Sequence, residues 1–567
     1  MYSDIKSVQI LVSLLKQHNI RRVVVSPGNR NVPIVHSLES DPFFTTYSIV
    51  DERSAGFFGI GLIHRYREPV AICCTSGTAV CNYYSAVTEA YYQKLPLLVI
   101  SADRNPYYLN QDEEQMLPQT DGFEKVTKKI VQLPMIKDDV DEYVCGRLVN
   151  EAILALNHHG AGPVQINVPI EKGLGLFTTS VLPAVKKIER HTLCDDWREY
   201  AKQLKAKRVL VLYGQSPSLN EENIKTVEAF ASIFGVVVAV DPLANLHCEG
   251  AVSTFALSRT MDAADFKNSL LPDIVITLNS GYLSYVRSHL KSCKGLFEHW
   301  AVNEEGNVQD PVFSIKEVFE ASPLAFLKKM VESGDSTPAD TTYLRLWQKE
   351  TAEIDFNTVD IPYSNFYAVR AFLRALPQHS VFHIANSTSI RLVSHFDMDP
   401  SIEVYGNRGA NGIDGSASSY MGMAFDHEKK AFLLIGDLSF FYDMNSLWNR
   451  YISPNMRIVL NNNEGAALFH YTVGLQNVPT LDQNIAAEHH ATAKGWVESR
   501  GFEYLSVRNE AELEKALIRM NETTEKPIFI EIFTDKEKDA QVLKSVYAQF
   551  KKKGSASKNL FHAVFKR

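Results

Sequence analysis

Short β-rich runs alternate with helix-like segments along the 567-residue chain, and this alternation restricts the fold more than any other feature. The β-rich runs cover 21–26, 69–76, 96–103, 163–169, 207–214, 235–241, 273–281, 380–387, 403–409, 431–439, 456–463 and 527–533. Strands separated by helices favour parallel sheets with helices on their faces. We therefore predict an α/β protein built from three consecutive parallel-sheet domains.

The domain boundaries follow from length and local composition. A chain of this length suits about three domains of roughly 150–200 residues each. The stretch ESGDSTPADTT at 332–342 is polar, contains Gly and Pro, and is typical of a linker. We predict domains over 1–185, 186–345 and 346–567, and expect the basic end of the chain, 551–567, to be frayed.

Charge and cysteine usage exclude several classes of protein. The net charge of −8 argues against a broad nucleic-acid-binding face, although a few converging arginines can still bind a small anion. The seven cysteines form no CxxC pair, which is typical of a reduced cytoplasm. The N-terminal segment carries charges within its apolar run, unlike a signal peptide, and no apolar run approaches the ~20 residues of a membrane span. We predict a cytoplasmic protein without nucleic-acid partners.

Polar side chains follow two β-rich runs of the last third. Asp437 stands in LLIGDLS, and Asn462 and Asn463 stand in IVLNNNEG, where Asn463 lies 26 residues after Asp437. That interval suits one β-α-β unit, so two adjacent strands would bring the loops together at the end of a sheet where ligands bind. Carboxylate, amide and carbonyl oxygens are ligands of Mg²⁺ beside diphosphate. Taken singly, each motif is also an ordinary turn former.

A carboxylate in the first third raises a separate question. In IVDERSAGFF, 49–58, Glu52 directly precedes small and apolar residues typical of a buried helix. An acid at a helix N-terminus can simply favour the helix dipole. An acid withheld from water has instead a raised pKa and tends to share a proton with a ligand.

A Gly-Asp and an Asn-Asn at this spacing, each after a strand, resemble the thiamine diphosphate motif. The resemblance implies the fold of the thiamine diphosphate-dependent decarboxylases, with Glu52 hydrogen-bonded to the aminopyrimidine ring and favouring its imino tautomer. It implies Mg²⁺, or Mn²⁺, held by Asp437, Asn463 and the carbonyl of Gly465, with Asn462 as the alternative amide. It also implies an active site between subunits of a homodimer or homotetramer.

A narrower resemblance rests on motifs that occur in order along nearly the whole chain. They are SPGNRN (26–31), DERSAGFF (51–58), TSGTAVCNYYSAVTEA (75–90), SADR (101–104), GNRGANGIDG (406–415) and GDLSFFYDMN (436–445). Together they are similar to the carboligases of menaquinone biosynthesis, the 2-succinyl-5-enolpyruvyl-6-hydroxy-3-cyclohexene-1-carboxylate (SEPHCHC) synthases. These transferases decarboxylate 2-oxoglutarate and add the succinic semialdehyde carbanion to isochorismate.

The resemblance also assigns further site residues. Arginine suits the carboxylates of both substrates, because its planar fork pairs with them bidentately. The expected substrate-binding residues are Arg30, Arg104, Gln115, Arg287, Arg391, Arg408 and Phe469. The expected catalytic residues are Glu52, Arg30, Gln115 and Ser387. The expected cofactor-binding residues are Glu52, Ser387, Gly412, Ile413, Gly436, Asp437, Leu438, Ser439, Asn463 and Leu468, among which Ile413 would hold the cofactor bent.

Four departures from the family pattern concern the substrates. Asn29 replaces a serine, Glu464 adds an acid beside the metal loop, and the segment LNQDEEQ before Gln115 is unusually acidic. The stretch 281–291 contains Arg287 and Lys291 but lacks the family's adjacent basic pair. Two alternatives therefore remain: a related carboligase with another acceptor, and a non-catalytic paralogue.

Overall fold

The structure is a computed structural model that describes residues 1–171, 175–283, 285–335, 337, 339–472 and 474–550. The expected frayed end, 551–567, lies outside the described residues. The chain divides into two compact units. The first unit comprises Met1–His191 and Ile315–Val318, and the second comprises Thr192–Ser314 and Phe319–Arg567.

The first unit contains a six-stranded sheet in the order β2-β1-β3-β4-β6-β5, and all of its strand pairs are parallel. The strands are β1 (Arg22–Val25), β2 (Thr45–Ser48), β3 (Val70–Cys74), β4 (Leu97–Asp103), β5 (Lys129–Gln132) and β6 (Val164–Pro169). The helices are α1 (Lys6–Gln17), α2 (Val32–Glu39), α3 (Glu52–Tyr66), α4 (Thr78–Asn82), α5 (Tyr84–Gln93) and α6 (Asp139–Ala155). Strands β3, β4 and β6 are buried along their whole length, as a sheet covered on both faces requires.

The second unit contains two parallel sheets. In the sheet from its first part, five strands lie in the order β10-β9-β8-β11-β12. They are β8 (Val209–Tyr213), β9 (Val237–Val240), β10 (Ala251–Ser253), β11 (Ile274–Leu278) and β12 (Glu298–Asn303). The helices of this part are α7 (Arg198–Ala206), α8 (Glu221–Phe234), α9 (Phe255–Thr260), α10 (Ala263–Asp265), α11 (Val286–Ser292), α12 (Pro323–Ser333) and α13 (Thr342–Ala352). The strands β7 (Glu189–Thr192) and β13 (Ile315–Glu320) cross the division between the units.

The other sheet of the second unit has the order β15-β14-β16-β17-β19-β18, again wholly parallel. Its strands are β14 (Val381–Ile384), β15 (Glu403–Tyr405), β16 (Ala431–Gly436), β17 (Met456–Asn462), β18 (Glu503–Val507) and β19 (Ile528–Phe533). Its helices are α14 (Asn365–Ala375), α15 (Thr388–Val393), α16 (Ser416–Ala424), α17 (Asp437–Tyr442), α18 (Ala467–Tyr471), α19 (Lys494–Ser499), α20 (Glu510–Met520) and α21 (Lys536–Phe550).

These sheets confirm the predicted α/β class. Every β-rich run named from the sequence contains a strand, although several strands end earlier than expected. The run 431–439, for example, ends as strand at Gly436, because Asp437 already begins α17. Within the described part of the chain, no helix has both the length and the apolar composition needed to cross a membrane.

Candidate active site

Two neighbouring strands of the second unit bring the predicted metal-binding residues to one end of their sheet. Strands β16 and β17 pair in parallel, with Gly436 opposite Asn461. Asp437 follows the first strand directly and is 3% exposed. One oxygen of its carboxylate, Oδ2, accepts hydrogen bonds from the backbone N–H groups of Asn463 and Gly465, both at 3.0 Å. The adjacency expected from the spacing of the two motifs is therefore present.

The two asparagines after β17 differ in what their side chains contact. The Nδ2 of Asn462 donates to Ala491 O at 2.9 Å and to Glu531 Oε1 at 2.7 Å, and its Oδ1 accepts from Glu464 N at 3.2 Å. In contrast, Asn463 uses its Nδ2 for Asp539 Oδ2 at 3.0 Å, which leaves its Oδ1 available to a ligand. This arrangement favours Asn463 over Asn462 as the metal-binding amide.

The loop after Asn463 requires a glycine at Gly465. The φ of Gly465 is +144°, and a Cβ atom there would lie 2.8 Å from Ala486 O. The segment around Ala486 covers this loop, since Ala486 O accepts from Ala466 N at 2.8 Å. The added acid, Glu464, lies 3.2 Å from His490 Nδ1 through its Oε2. His489 Nε2 lies 3.5 Å from Asp437 Oδ2.

A second loop stands beside α17. Ser439 donates from its hydroxyl to the carbonyl of Ile413, which links the GDLS motif to the GIDG motif. Ile413 is 37% exposed, so its side chain does not belong to the buried core. Gly412 is constrained by its neighbour, because a Cβ atom there would meet Asp414 Oδ1 at 2.2 Å. Leu438 donates its N–H to Asp437 Oδ1 at 2.6 Å.

Two predicted substrate-binding arginines of the second unit, Arg391 and Arg287, act electrostatically on a third, Arg408. The pKa of Arg408 is lowered first by burial, then by repulsion from Arg391 and also from Arg287, whereas Asp241 opposes the shift. Burial raises the pKa of Asp241 to about 6, against the attraction of Arg408 and Arg287. The positive charge of Arg287 thus reaches the same site despite the missing basic pair.

Asn386, which sequence reasoning missed, holds this region together. It is 2% exposed, donates from Nδ2 to Asn407 O at 2.7 Å and to Gly412 O at 2.6 Å, and accepts from Arg408 Nη1 at 3.0 Å. The next residue, Ser387, has a φ of +66° and accepts from Arg391 Nη1 at 2.6 Å through its carbonyl. The signal in the sequence was its place close to the end of β14, which ends at Ile384, and next to the predicted residue Ser387.

The predicted residues of the first unit follow strands β1, β2 and β4 of its six-stranded sheet. Glu52 begins α3, is half-buried, and its Oε2 accepts from Asn82 Nδ2 at 3.1 Å. The helix starts there because the N-cap Asp51 accepts from Ser54 N at 3.0 Å. Of the residues after it, Phe57 and Phe58 are exposed, so α3 is less buried than the sequence indicated.

Arg30 and Arg104 form a second cationic pair. Arg30 donates from Nη1 to Ile170 O at 2.9 Å, and its pKa is lowered by burial and then by the charge of Arg104. Arg104 Nη1 lies 2.6 Å from Glu113 Oε1. One acid of the LNQDEEQ segment, Glu113, therefore faces a predicted substrate-binding arginine, Arg104.

The remaining predicted site residues are Gln115 in the first unit and the apolar residues Leu468 and Phe469 in the second. Gln115 is exposed, has a φ of +51°, and packs against Gly77, where a Cβ atom would meet Gln115 Cβ at 3.1 Å. Leu468 and Phe469 are half-buried on α18. The predicted residues thus fall into two groups, one in each unit.

Several known proteins are similar to this chain. Residues 5–124 match the family described as thiamine pyrophosphate enzyme, N-terminal TPP binding domain. A 2-succinyl-5-enolpyruvyl-6-hydroxy-3-cyclohexene-1-carboxylate synthase of Phocaeicola vulgatus is 40% identical over 98% of this chain and its own full length. The synthase of the same name from Bacteroides thetaiotaomicron is 40% identical over 98% of the chain, and that of Flavobacterium psychrophilum is 32% identical over 94% of the chain and 97% of its own.

Proposed function

The chain belongs to the family of SEPHCHC synthases, and we propose that it catalyses the reaction of that family in menaquinone biosynthesis. The reaction decarboxylates 2-oxoglutarate and transfers the resulting four-carbon unit to isochorismate. The enzyme is a transferase that uses thiamine diphosphate with Mg²⁺ or Mn²⁺. The observation that carries the proposal is the polar end of β16 and β17, where Asp437, Asn463 and Gly465 meet.

The donor atoms at this end suit a hard divalent cation beside a diphosphate. They comprise the Asp437 carboxylate, the Oδ1 of Asn463 and the backbone carbonyl of Gly465. Asn463 is suited to bind the cation through Oδ1, because its Nδ2 already donates a hydrogen bond to Asp539. Bound thiamine diphosphate would supply a nucleophilic carbanion that the protein's own side chains lack. We assign the remainder of its binding surface to Gly436, Leu438, Ser439, Gly412, Ile413, Ser387 and Leu468.

Glu52 is proposed to hold a proton at the aminopyrimidine ring. Its carboxylate has one hydrogen bond from Asn82 and is only half-buried in the chain by itself. Covering it with a partner subunit and a cofactor would remove the remaining water and favour proton sharing. Asn82 would fix the orientation of the carboxylate.

The arginines are proposed to hold the substrate carboxylates. Burial lowers the pKa of Arg408, and the nearby charges of Arg391 and Arg287 lower it further, a repulsion that an anionic ligand would relieve. In the first unit, burial and then the charge of Arg104 lower the pKa of Arg30. Gln115 and Phe469 are assigned to the same substrate site. Bidentate pairing with carboxylates makes arginine better suited than lysine.

We propose self-association, as a dimer or tetramer, with the active site at the subunit interface. Glu52 lies on a helix whose Phe57 and Phe58 are exposed, and Tyr84 and Tyr92 of α5 are exposed as well. In the second unit, exposed aromatic and apolar side chains accompany the GIDG and GDLS motifs. They are Ile413, Phe425, Tyr442, Trp448 and Tyr451. Such patches mark protein interfaces.

A cytoplasmic location is proposed from the cysteines. All seven are free thiols in the structure. Four of them, Cys73, Cys74, Cys145 and Cys293, are buried. Unpaired buried cysteines suit a reducing compartment.

The test is an omission assay on the purified protein. We expect 2-oxoglutarate and isochorismate to disappear together only when thiamine diphosphate and Mg²⁺ are both present. Loss of 2-oxoglutarate alone would favour a different acceptor. Failure to bind thiamine diphosphate at all would favour the non-catalytic alternative and overturn the proposal.

A further inference from the structure

A buried carboxylate outside the motifs contacts the proposed metal-binding amide. Asp539 lies on α21 and is 0% exposed. Its Oδ2 accepts from Asn463 Nδ2 at 3.0 Å and from Thr534 Oγ1 at 2.8 Å, and its Oδ1 accepts from Asn365 N at 2.8 Å. All three donors are neutral, so the carboxylate is held by hydrogen bonds and by the N-terminus of α14, to which Asn365 belongs.

A carboxylate at this place selects one orientation of the Asn463 amide. An ionised carboxylate accepts hydrogen bonds but donates none. If the amide turned over, its Oδ1 would face Asp539 Oδ2, and two acceptors would meet in a site withheld from water. An unsatisfied buried acceptor is destabilising, and more so when it is charged. The amide therefore keeps Nδ2 toward Asp539 and directs Oδ1 to the opposite side.

The neighbouring amide shows what this selection achieves. Asn462 also meets a fully buried carboxylate, that of Glu531, but its Oδ1 is used by the backbone of Glu464. Of these two asparagines, Asn463 is the one whose side-chain oxygen, Oδ1, stays available to a ligand. The Asp539 contact thus has a consequence at the metal site that the Glu531 contact lacks.

We propose that Asp539 is a positioning residue that holds the Asn463 amide with its oxygen toward the metal ion. This inference rests on the proposed function, which assigns Asn463 as a metal ligand. Side chains that orient metal ligands typically change metal affinity by about 10- to 100-fold when they are replaced. Asp539 is 76 residues from Asn463, and no motif in the sequence points to it.

The test is the Mg²⁺ dependence of thiamine diphosphate binding, measured by calorimetry on the full chain without substrates. Asp539→Asn can hydrogen-bond either end of the Asn463 amide, so we expect the Mg²⁺ concentration for half-maximal binding to rise by about 10-fold or more. The matched control is Thr534→Val, which removes a hydrogen bond to the same Asp539 oxygen without touching Asn463. We expect it to lower the melting temperature while leaving the Mg²⁺ dependence unchanged.

A double-variant cycle separates positioning from general damage. In an Asn463→Ala background, Asp539→Asn should produce no further shift in Mg²⁺ dependence, because the amide on which it acts is gone. An Asp539→Asn protein with wild-type Mg²⁺ dependence, or an equal shift in Thr534→Val, would overturn the inference. If Asp539→Asn does not fold, Asp539→Ser replaces it under the same criteria. Wild-type protein that binds thiamine diphosphate without any metal dependence would instead overturn the proposed function.

Discussion

The Nδ2 of Asn82 donates a hydrogen bond to Oε2 of Glu52 across 3.1 Å, so the carboxylate at the start of α3 has a fixed neighbour on α4. A carboxylate placed only to favour the helix dipole would need no such partner. The contact instead orients the oxygens of Glu52. It gives the proposed role of Glu52 a geometric basis and leads to the first prediction.

Replacing Glu52 by Gln is predicted to remove turnover while keeping the fold. The amide occupies the same space and can accept from Asn82, but it cannot share a proton with the cofactor ring. We expect kcat to fall by at least about 100-fold, as for loss of a group that transfers a proton. Melting temperature and metal-dependent cofactor binding should stay close to wild type. Turnover at the wild-type rate would contradict the role of Glu52.

The two asparagines after β17 are predicted to respond differently to removal of their amides. Asn463→Ala should raise the Mg²⁺ requirement of cofactor binding, because it removes a proposed ligand oxygen. Asn462→Ala should chiefly lower stability, because it leaves the buried Glu531 carboxylate without one of its donors. Calorimetric binding and thermal melting of both variants provide the measurement. The reverse result would assign the metal-binding role to Asn462.

Glu113 is predicted to weaken binding of anionic substrates. Its carboxylate lies 2.6 Å from Arg104 Nη1 and is 38% exposed as a side chain. A partly exposed pair of this kind contributes up to about 1 kcal/mol, which corresponds to a factor of about five in affinity. Glu113→Gln should therefore lower the KM for 2-oxoglutarate or isochorismate by up to about five-fold at low salt, with kcat unchanged.

The control for that change is Glu114→Gln, because Glu114 is the exposed acid next in the chain. It removes the same charge from the same loop. A similar drop in KM for both variants would show a general effect of loop charge. It would contradict a specific competition by Glu113 for Arg104.

Acid is predicted to destabilise the second unit through His395. Burial lowers the pKa of this imidazole to about 3, and Tyr547 and Leu392 occupy its nitrogens. The folded pKa lies below the unfolded value, so the unfolded chain takes up more protons as the pH falls. The contribution of His395 to the free energy of unfolding is thus complete above about pH 6.5 and is lost as the pH decreases toward 3. At pH 5 the loss amounts to about 2 kcal/mol.

Urea unfolding at pH 7.5 and pH 5 measures this dependence. His395→Gln should lose less free energy of unfolding between the two values than the wild type does. The exposed His64 provides the control, since His64→Gln should retain the wild-type difference. Equal pH dependence in all three proteins would show that His395 does not drive the acid sensitivity.

The central strands were predictable from sequence because both faces of a parallel sheet are buried. Strands such as β3 and β16 therefore appear as continuous apolar runs. The edge strands β2 and β18 were missed, since they are only partly buried and their sequences, TTYS and EYLSV, are mixed. Strand β12 was missed because the buried His299 interrupts its apolar pattern, and its partner Asp310 lies 2.9 Å away but outside the strand.

The candidate site residues that stand in motifs could be named from the sequence, whereas the residues that support them could not. Glu52, Asp437 and Asn463 stand in recognisable patterns beside strand ends. Asp539 reaches the site through packing of distant segments, and the hydrogen bonds of Asn386 to Asn407, Gly412 and Arg408 likewise join segments that are separate in the chain. Their roles depend on hydrogen bonds between side chains far apart in the chain, and no local spacing encodes such contacts.

The most direct test of the proposed activity follows both halves of the reaction in one vessel. The purified protein, with thiamine diphosphate and Mg²⁺, is given isochorismate and 2-oxoglutarate labelled in the carboxyl group next to the ketone. Labelled CO₂ and remaining isochorismate are then measured over time. We expect labelled CO₂ to be released in an amount equal to the isochorismate consumed, and we expect neither change with Glu52→Gln. Release of CO₂ while isochorismate stays constant would contradict the proposed activity.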